Sequence, residues 1–267
     1  MNRRVEITLA CGQFAPRFGE IGFNLEQIRR MVEATDADLF IFPELCTSGY
    51  EFQDRKEAFD LALDLDRGKE LSWLSGLAGD TGTHLVLGFP ERAGDKVFNA
   101  ALLVEPSGKA HFYRKIHLFD REKELFDTGD MPFAVIDTAG GRIGVMICFD
   151  WIFPEAARTL ALGGAQVIAH PSNLVLQYCQ KAMFARSVEN GVFTATCNRV
   201  GAESRAGRTL TFTGASQILS NRGATLAQAS SDGEEVIHAL ITPSDADNKM
   251  ITGRNHLVED RREEWYA

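Results

Sequence analysis

Nowhere among the 267 residues does an apolar run approach the roughly 20 residues that cross a bilayer, and no basic stretch followed by an apolar one opens the chain. A cytoplasmic protein without a membrane partner is expected. Cysteine is sparse: Cys11, Cys46, Cys148, Cys179 and Cys197 are odd in number, widely spaced and without a C-x-x-C pair, which excludes a disulfide framework and a cysteine zinc site. Basic residues are outnumbered, 28 Lys and Arg against 37 Asp and Glu for a net charge of −9, so nucleic acid is not an expected partner. The histidines His84, His111, His117, His170 and His238 show no H-x-H or H-x-x-x-H spacing and no accompanying carboxylate cluster. A metal-dependent phosphohydrolase is disfavoured, and no metal or other cofactor is expected. The absence of G-x-S-x-G removes the usual serine hydrolase elbow. No repeat, proline-rich linker or composition break divides the chain, so residues 1–267 read as a single domain.

What is present is ordinary for a folded protein: 45% hydrophobic and 24% charged residues, enough to build a sizeable core. Short β-branched or aromatic runs at 6–14, 38–42, 84–89, 97–104, 110–114, 133–137, 142–147, 166–170, 193–198, 212–219 and 236–241 read as strands. Helical periodicity marks 24–34, 71–81, 154–162 and 177–190, the first with Asn24 as N-cap. Gly-centred turns at 107–108, 140–141 and 222–223 predict hairpins. Alternation of the two element types defines an α/β layered fold, and eleven strands are too many for one small sheet.

Three strand ends deliver ionisable side chains, at the sheet edge where α/β proteins place their sites. Phe42-Pro43-Glu44 ends a buried run with a carboxylate, and Tyr113-Arg114-Lys115-Ile116-His117-Leu118 ends another in a basic cluster. Arg142 to Cys148 leads through Phe149-Asp150-Trp151 to a helix opening at Pro154, a turn that sets the cysteine near backbone N–H groups and a helix dipole favouring a thiolate. Taken singly, each has a plainer alternative: a turn carboxylate, a surface lysine, a small buried hydrophobe.

Together, Phe42-Pro43-Glu44-Leu45-Cys46-Thr47-Ser48-Gly49-Tyr50, Tyr113 to Leu118 and Gly144 to Glu155 resemble the motifs of the nitrilase superfamily of carbon–nitrogen hydrolases. Further similarity runs from Gly12-Gln13 through Gly88-Phe-Pro-Glu91, Phe98-Asn-Ala100 and His170-Pro-Ser-Asn173. The resemblance implies a four-layer αββα sandwich, with Cys148 as nucleophile, Glu44 as general base and Lys115 as the oxyanion cation. It implies a second active-site glutamate, Glu122, although Glu124 lies only two residues on.

The expected reaction is hydrolysis of a small, aliphatic amide or carbamoyl amide through a cysteine thioester, since Cys148-Phe149-Asp150-Trp151 leans towards amides. A nitrilase acting on small aliphatic nitriles, or a catalytically silent binding protein on the same fold, are the alternatives. Tyr50, Phe149, Trp151 and Asn173 are the candidate substrate-binding residues, with a turn-capping role equally open for Asn173. A homodimer or higher homo-oligomer is expected, with the aromatic tail residues Trp265 and Tyr266 as docking candidates.

Overall fold

Along the strand Ile7–Gln13 (β1), Leu9 and Cys11 face one apolar core while Ala10 faces another; in Leu39–Ile41 (β2) and the residue beyond it, Leu39 and Ile41 alternate in the same way with Phe40 and Phe42. A strand buried on both faces belongs in the middle of a layered structure. The computed structural model, which describes residues 5–65 and 68–266, has this design twice over.

The first half of the chain adds helices α1 (Ile21–Glu33), α2 (Arg55–Asp60) and α3 (Glu70–Thr81), then strands β3 (His84–Ala93), β4 (Lys96–Val104) and β5 (Ala110–Arg114) and the short helix α4 (Glu122–Leu125). The second half comprises β6 (Val135–Thr138), β7 (Gly141–Val145), a 3-10 turn at Cys148–Ile152, α5 (Pro154–Leu162), β8 (Val167–Ser172), α6 (Cys179–Asn190), β9 (Phe193–Asn198), β10 (Ala202–Arg205), β11 (Arg208–Thr211), β12 (Gln217–Leu219), β13 (Thr225–Gln228) and β14 (Glu235–Ile241).

One six-stranded sheet runs β14-β1-β2-β3-β4-β5 and the other β13-β12-β9-β8-β7-β6. Each has a parallel central triplet, β1-β2-β3 and β7-β8-β9, flanked by antiparallel strands. The sheets meet through β1 against β9 and through β2 and β3 against β8, with Leu9, Cys11, Leu39, Ile41, Ala195 and Cys197 in the shared core. Helices α1 and α3 cover the outer face of the first sheet with Leu25, Ile28, Val32, Leu74 and Leu77. Helix α5 lies on the second sheet so closely that a Cβ on Gly144 would come within 2.9 Å of Leu160. The architecture is therefore the single-domain αββα sandwich expected.

Several local expectations are corrected. Helix α1 begins at Ile21, because Asn24 is not its cap: its buried amide side chain donates to Arg17 O and Thr47 O and accepts from Arg17 N. The run 212–219 is a strand only over Gln217–Leu219, since Gly214 (φ +54°) and Ala215 (φ +52°) turn the chain in the left-handed region. The preceding residues instead close a separate β10–β11 hairpin, and β13 is an additional edge strand. The three predicted hairpins connect β4 to β5, β6 to β7 and β12 to β13.

Candidate active site

Glu44, Lys115, Cys148 and Asn173 follow the carboxyl ends of β2, β5, β7 and β8, so four separate strands converge on one edge of the sandwich. The turn carrying Glu44 is wedged against β3. Cys46 N donates to Gly88 O (2.9 Å), Gly88 N donates to Pro43 O (3.0 Å), and a Cβ on Gly88 would fall 2.4 Å from Glu44 Cα. Only glycine admits that approach.

Lys115 is fully buried and bridges two carboxylates, with Nζ 2.6 Å from Glu44 Oε1 and 2.9 and 2.8 Å from the two oxygens of Glu122. Asn99 Nδ2 donates to the same Glu44 oxygen at 2.7 Å, whereas Glu44 Oε2 is buried with no hydrogen-bond partner among the described residues. Glu122 also accepts from the Tyr50 hydroxyl (2.7 Å) and from Phe119 N (3.1 Å). The choice between the neighbouring glutamates is clear in geometry: Glu122 is 2% exposed, while the Glu124 side chain is 75% exposed and lies 3.9 Å from Arg121.

Two carboxylates and one ammonium leave this pocket with a formal charge of −1 before the cysteine is counted, and the thiol responds accordingly. Burial, then the Glu44 charge, push the Cys148 thiol well above its ordinary pKa, and Lys115 only partly opposes them. Burial and the Glu44 charge therefore favour the neutral thiol, whose proton Glu44 is expected to take. Helix α5 starts at Pro154, with the 3-10 turn Cys148–Ile152 between its first turn and the nucleophile. Burial alone would discharge Lys115, but the charges of Glu122 and Glu44 outweigh it and hold the ammonium above its usual pKa. Burial raises Glu122 in spite of Lys115.

The nucleophile turn is itself strained and held. Cys148 has φ +40°, an unusual conformation for a side chain with a Cβ. Buried Asp150 fixes it from one side, accepting from Ile147 N (2.8 Å) and the Tyr113 hydroxyl (3.0 Å) and pairing with His117 Nδ1 (2.7 Å). His170 Nε2 holds the Cys148 carbonyl at 2.9 Å. Since a carbonyl only accepts, that nitrogen carries the hydrogen. Burial lowers the His170 pKa to about 4, so the ring is neutral at pH 7.

Cys148 opens on a narrow cavity of about 20 Å³ lined by Phe119, Phe149, Trp151, Asn173 and the segment Leu174 to Leu176. Three of the four expected substrate-binding residues, Phe149, Trp151 and Asn173, are on its wall. Tyr50 is not; it stands behind the carboxylates with its hydroxyl on Glu122. Asn173 also makes a cap-like bond from Nδ2 to Glu44 O (2.8 Å), and its buried Oδ1 has no hydrogen-bond partner among the described residues.

Asn99, Asp150, His170 and Tyr113 are site residues to which sequence reasoning assigned no role. Asn99 had a signal, the only polar side chain within the buried run of β4. Among the described residues no cluster of three or more His, Cys, Asp or Glu is arranged to hold a metal, and no helix is long and apolar enough to cross a membrane.

A buried thiol beside a carboxylate–lysine–carboxylate cluster, on an αββα frame, defines a thiol-dependent hydrolase. The sequence matches the carbon-nitrogen hydrolase family profile over residues 8–249, and the chain belongs to that family. It is 43% identical to a protein named nitrilase from Pyrococcus abyssi, over 97% of this chain and 99% of that one. It is 33% identical to an (R)-stereoselective amidase of a Pseudomonas species, over 94% and 89% of the two chains. The crystal structure of a carbon-nitrogen hydrolase from Helicobacter pylori superposes with a TM-score of 0.86 at 27% identity, covering 98% of this chain and 97% of the other.

Proposed function

We propose that the protein hydrolyses small amides or carbamoyl amides to acid and ammonia, with Cys148 as nucleophile. The observation that carries this reading is the unpaired Glu44 Oε2, the one carboxylate oxygen of the cluster with a free lone pair, beside buried Cys148, whose thiol form burial favours. An amide carbon is a weak electrophile, so the sulfur attacks as its proton passes to Glu44. Negative charge then develops on the former carbonyl oxygen, and Lys115, which keeps its proton, and the Phe149 N–H stabilise it. Glu44 returns the proton to the departing nitrogen, the C–N bond breaks, and a thioester remains on Cys148. Water, deprotonated by Glu44, adds to the thioester; the C–S bond breaks, and the carboxylic acid and the thiol are released.

In this reading Glu122 holds Lys115 in place and balances its charge, and Phe149, Trp151 and Asn173 contact the substrate. The cavity wall, with Phe119, Phe149, Trp151 and Leu174 on it, gives an acyl group on Cys148 largely apolar surroundings. The Pseudomonas relative named an amidase supports the amide reading, while the Pyrococcus relative named a nitrilase favours a second, small aliphatic nitriles. An ammonia-release screen over short amides, ω-amides, N-carbamoyl compounds and nitriles, run with the parent and with Cys148→Ala, tests both. Turnover of at least one amide by the parent and none by a folded Cys148→Ala is expected; full activity in that variant would sink the assignment.

Residues 1–267 act as one catalytic domain in this reading, in a reducing cytoplasm that suits five free thiols. The functional unit is a homodimer, supported by exposed Ile152, Tyr178 and Phe184 near the nucleophile turn and α6, and by Trp265 and Tyr266, 80% and 57% exposed. Truncation before Trp265 is expected to reduce the particle size measured by light scattering. An active protein of unchanged size would count against the tail.

A further inference from the structure

Glu203 lies on β10, in the hairpin that belongs to neither large sheet, and it is the one residue of that strand that is buried. Its carboxylate is gripped from two directions. Arg199, 1% exposed, donates Nη1 to Glu203 Oε1 at 2.5 Å and sets its guanidinium 4.1 Å from the Phe212 ring centroid. On the other side Glu203 accepts the backbone N–H of Tyr50 (3.0 Å) and of Glu51 (2.7 Å). The approach needs residue 49 to be glycine, since a Cβ there would sit 2.9 Å from Glu203 Oε1, and Gly49 has φ +87°.

The two residues held in this way reach to two consecutive residues, Glu122 of the site and its neighbour Arg121. The Tyr50 hydroxyl donates to Glu122 (2.7 Å), and the Glu51 carboxylate accepts from Arg121 Nη1 (2.7 Å). The Tyr50 ring also packs edge-on against Phe212 at 5.9 Å, the ring on which Arg199 stacks. We infer that Glu203, locked by Arg199, is a positioning residue for the hydrolytic site: it fixes the Tyr50–Glu51 backbone so that the Tyr50 hydroxyl orients Glu122 against Lys115. It touches none of the reacting groups. A buried ion pair is a weak source of net stability, but it specifies geometry, and here the geometry specified is that of the loop behind the carboxylates.

The inference rests on the Cys148 thiol reading, and the two fail differently. The experiment is a double-mutant cycle of Tyr50→Phe and Glu203→Gln, with Glu203→Asp as a third variant that keeps the charge for Arg199 but withdraws the carboxylate from the two amides. Two rates are followed: kcat and KM for the best amide of the screen, and alkylation of Cys148 by iodoacetamide, resolved by peptide mass spectrometry. Each single change is expected to lower kcat about tenfold with KM within about twofold, and the double variant to be no more than about threefold slower than Tyr50→Phe alone, because both act through one hydrogen bond. The alkylation rates should follow the same pattern.

Glu122 faces Lys115, Glu44 and Tyr50, and loss of the Tyr50 donor raises its pKa, so the acid limb of kcat/KM should move to higher pH in every variant. Losses that multiply to about a hundredfold in the double variant, or Glu203 variants that melt earlier at unchanged kcat and alkylation rate, would overturn the inference. Turnover that survives Cys148→Ala would instead overturn the reading beneath it.

Discussion

Replacing Lys115 by Met keeps most of the side-chain stem and removes the only cation between Glu44 and Glu122, both of them buried. Deleting one partner of a buried ion pair typically costs about 3–5 kcal/mol. In a domain of this size each kcal/mol moves the melting temperature by about 2–4 °C, so a loss of about 6–20 °C is expected at pH 8. The direction of the pH dependence follows from linkage. Without the ammonium, burial and the Glu44 charge raise the folded-state pKa of Glu122 further above its unfolded value, extending the rise already present there. The folded state then binds more protons than the unfolded one, and stability falls as pH climbs from the unfolded pKa through the folded pKa. The deficit relative to the parent should therefore be smaller at pH 5.5 than at pH 8. Turnover should fall by about 10²–10³-fold or more, as expected when a donor to the developing oxyanion is lost. Thermal melts by circular dichroism at the two pH values, with ammonia release alongside, provide the readings. A melting temperature within 2 °C of the parent at pH 8, or an equal deficit at both pH values, would refute the electrostatic account of this cluster.

Gly88→Ala places a methyl against the Glu44 backbone, and the displaced turn should lower kcat by about a hundredfold at a stability cost of about 1–3 kcal/mol; unchanged kinetics would show that the turn yields freely. Asp150→Asn keeps an acceptor for Tyr113 and Ile147 but removes the charge facing His117. It should cost about 1–3 kcal/mol of stability and slow Cys148 alkylation, measured by urea titration and timed mass spectrometry; alkylation at the parent rate would separate Asp150 from the nucleophile turn.

The frame was legible because its signals are local. Strand alternation at Leu9, Cys11, Leu39 and Ile41 and the helical stripe of α1 report directly which faces are buried. Glu44, Lys115 and Cys148 each end a readable strand, but what singled them out was the resemblance of their three motifs, taken together, to those of the nitrilase superfamily. What the sequence could not disclose depends on contacts between distant segments. The true start of α1 was hidden because Asn24 looks like a cap but bonds to Thr47, 23 residues away. The dipole of a following helix is visible in sequence, whereas the burial of Cys148 beside Glu44 and Glu122, which favours its thiol, is a tertiary fact. Glu203 carried no signal at all, since its partners at Tyr50 and Glu51 lie some 150 residues earlier.

The cavity above Cys148 is bounded by Phe119, Phe149, Trp151 and the Asn173 to Leu176 segment, while the charged cluster beneath it has its polar atoms nearly all engaged with one another. In the proposed reading, chemistry and choice of substrate fall largely to different residues, which meet at Asn173, on the cavity wall and donating to Glu44 O. A change at Val175 or Leu176 would then widen the mouth away from that bond, whereas a change in the cluster would alter every substrate alike. A lineage built on this scaffold is free to exchange one small acyl group for another through rim mutations alone, and selection for new substrates should leave its record there.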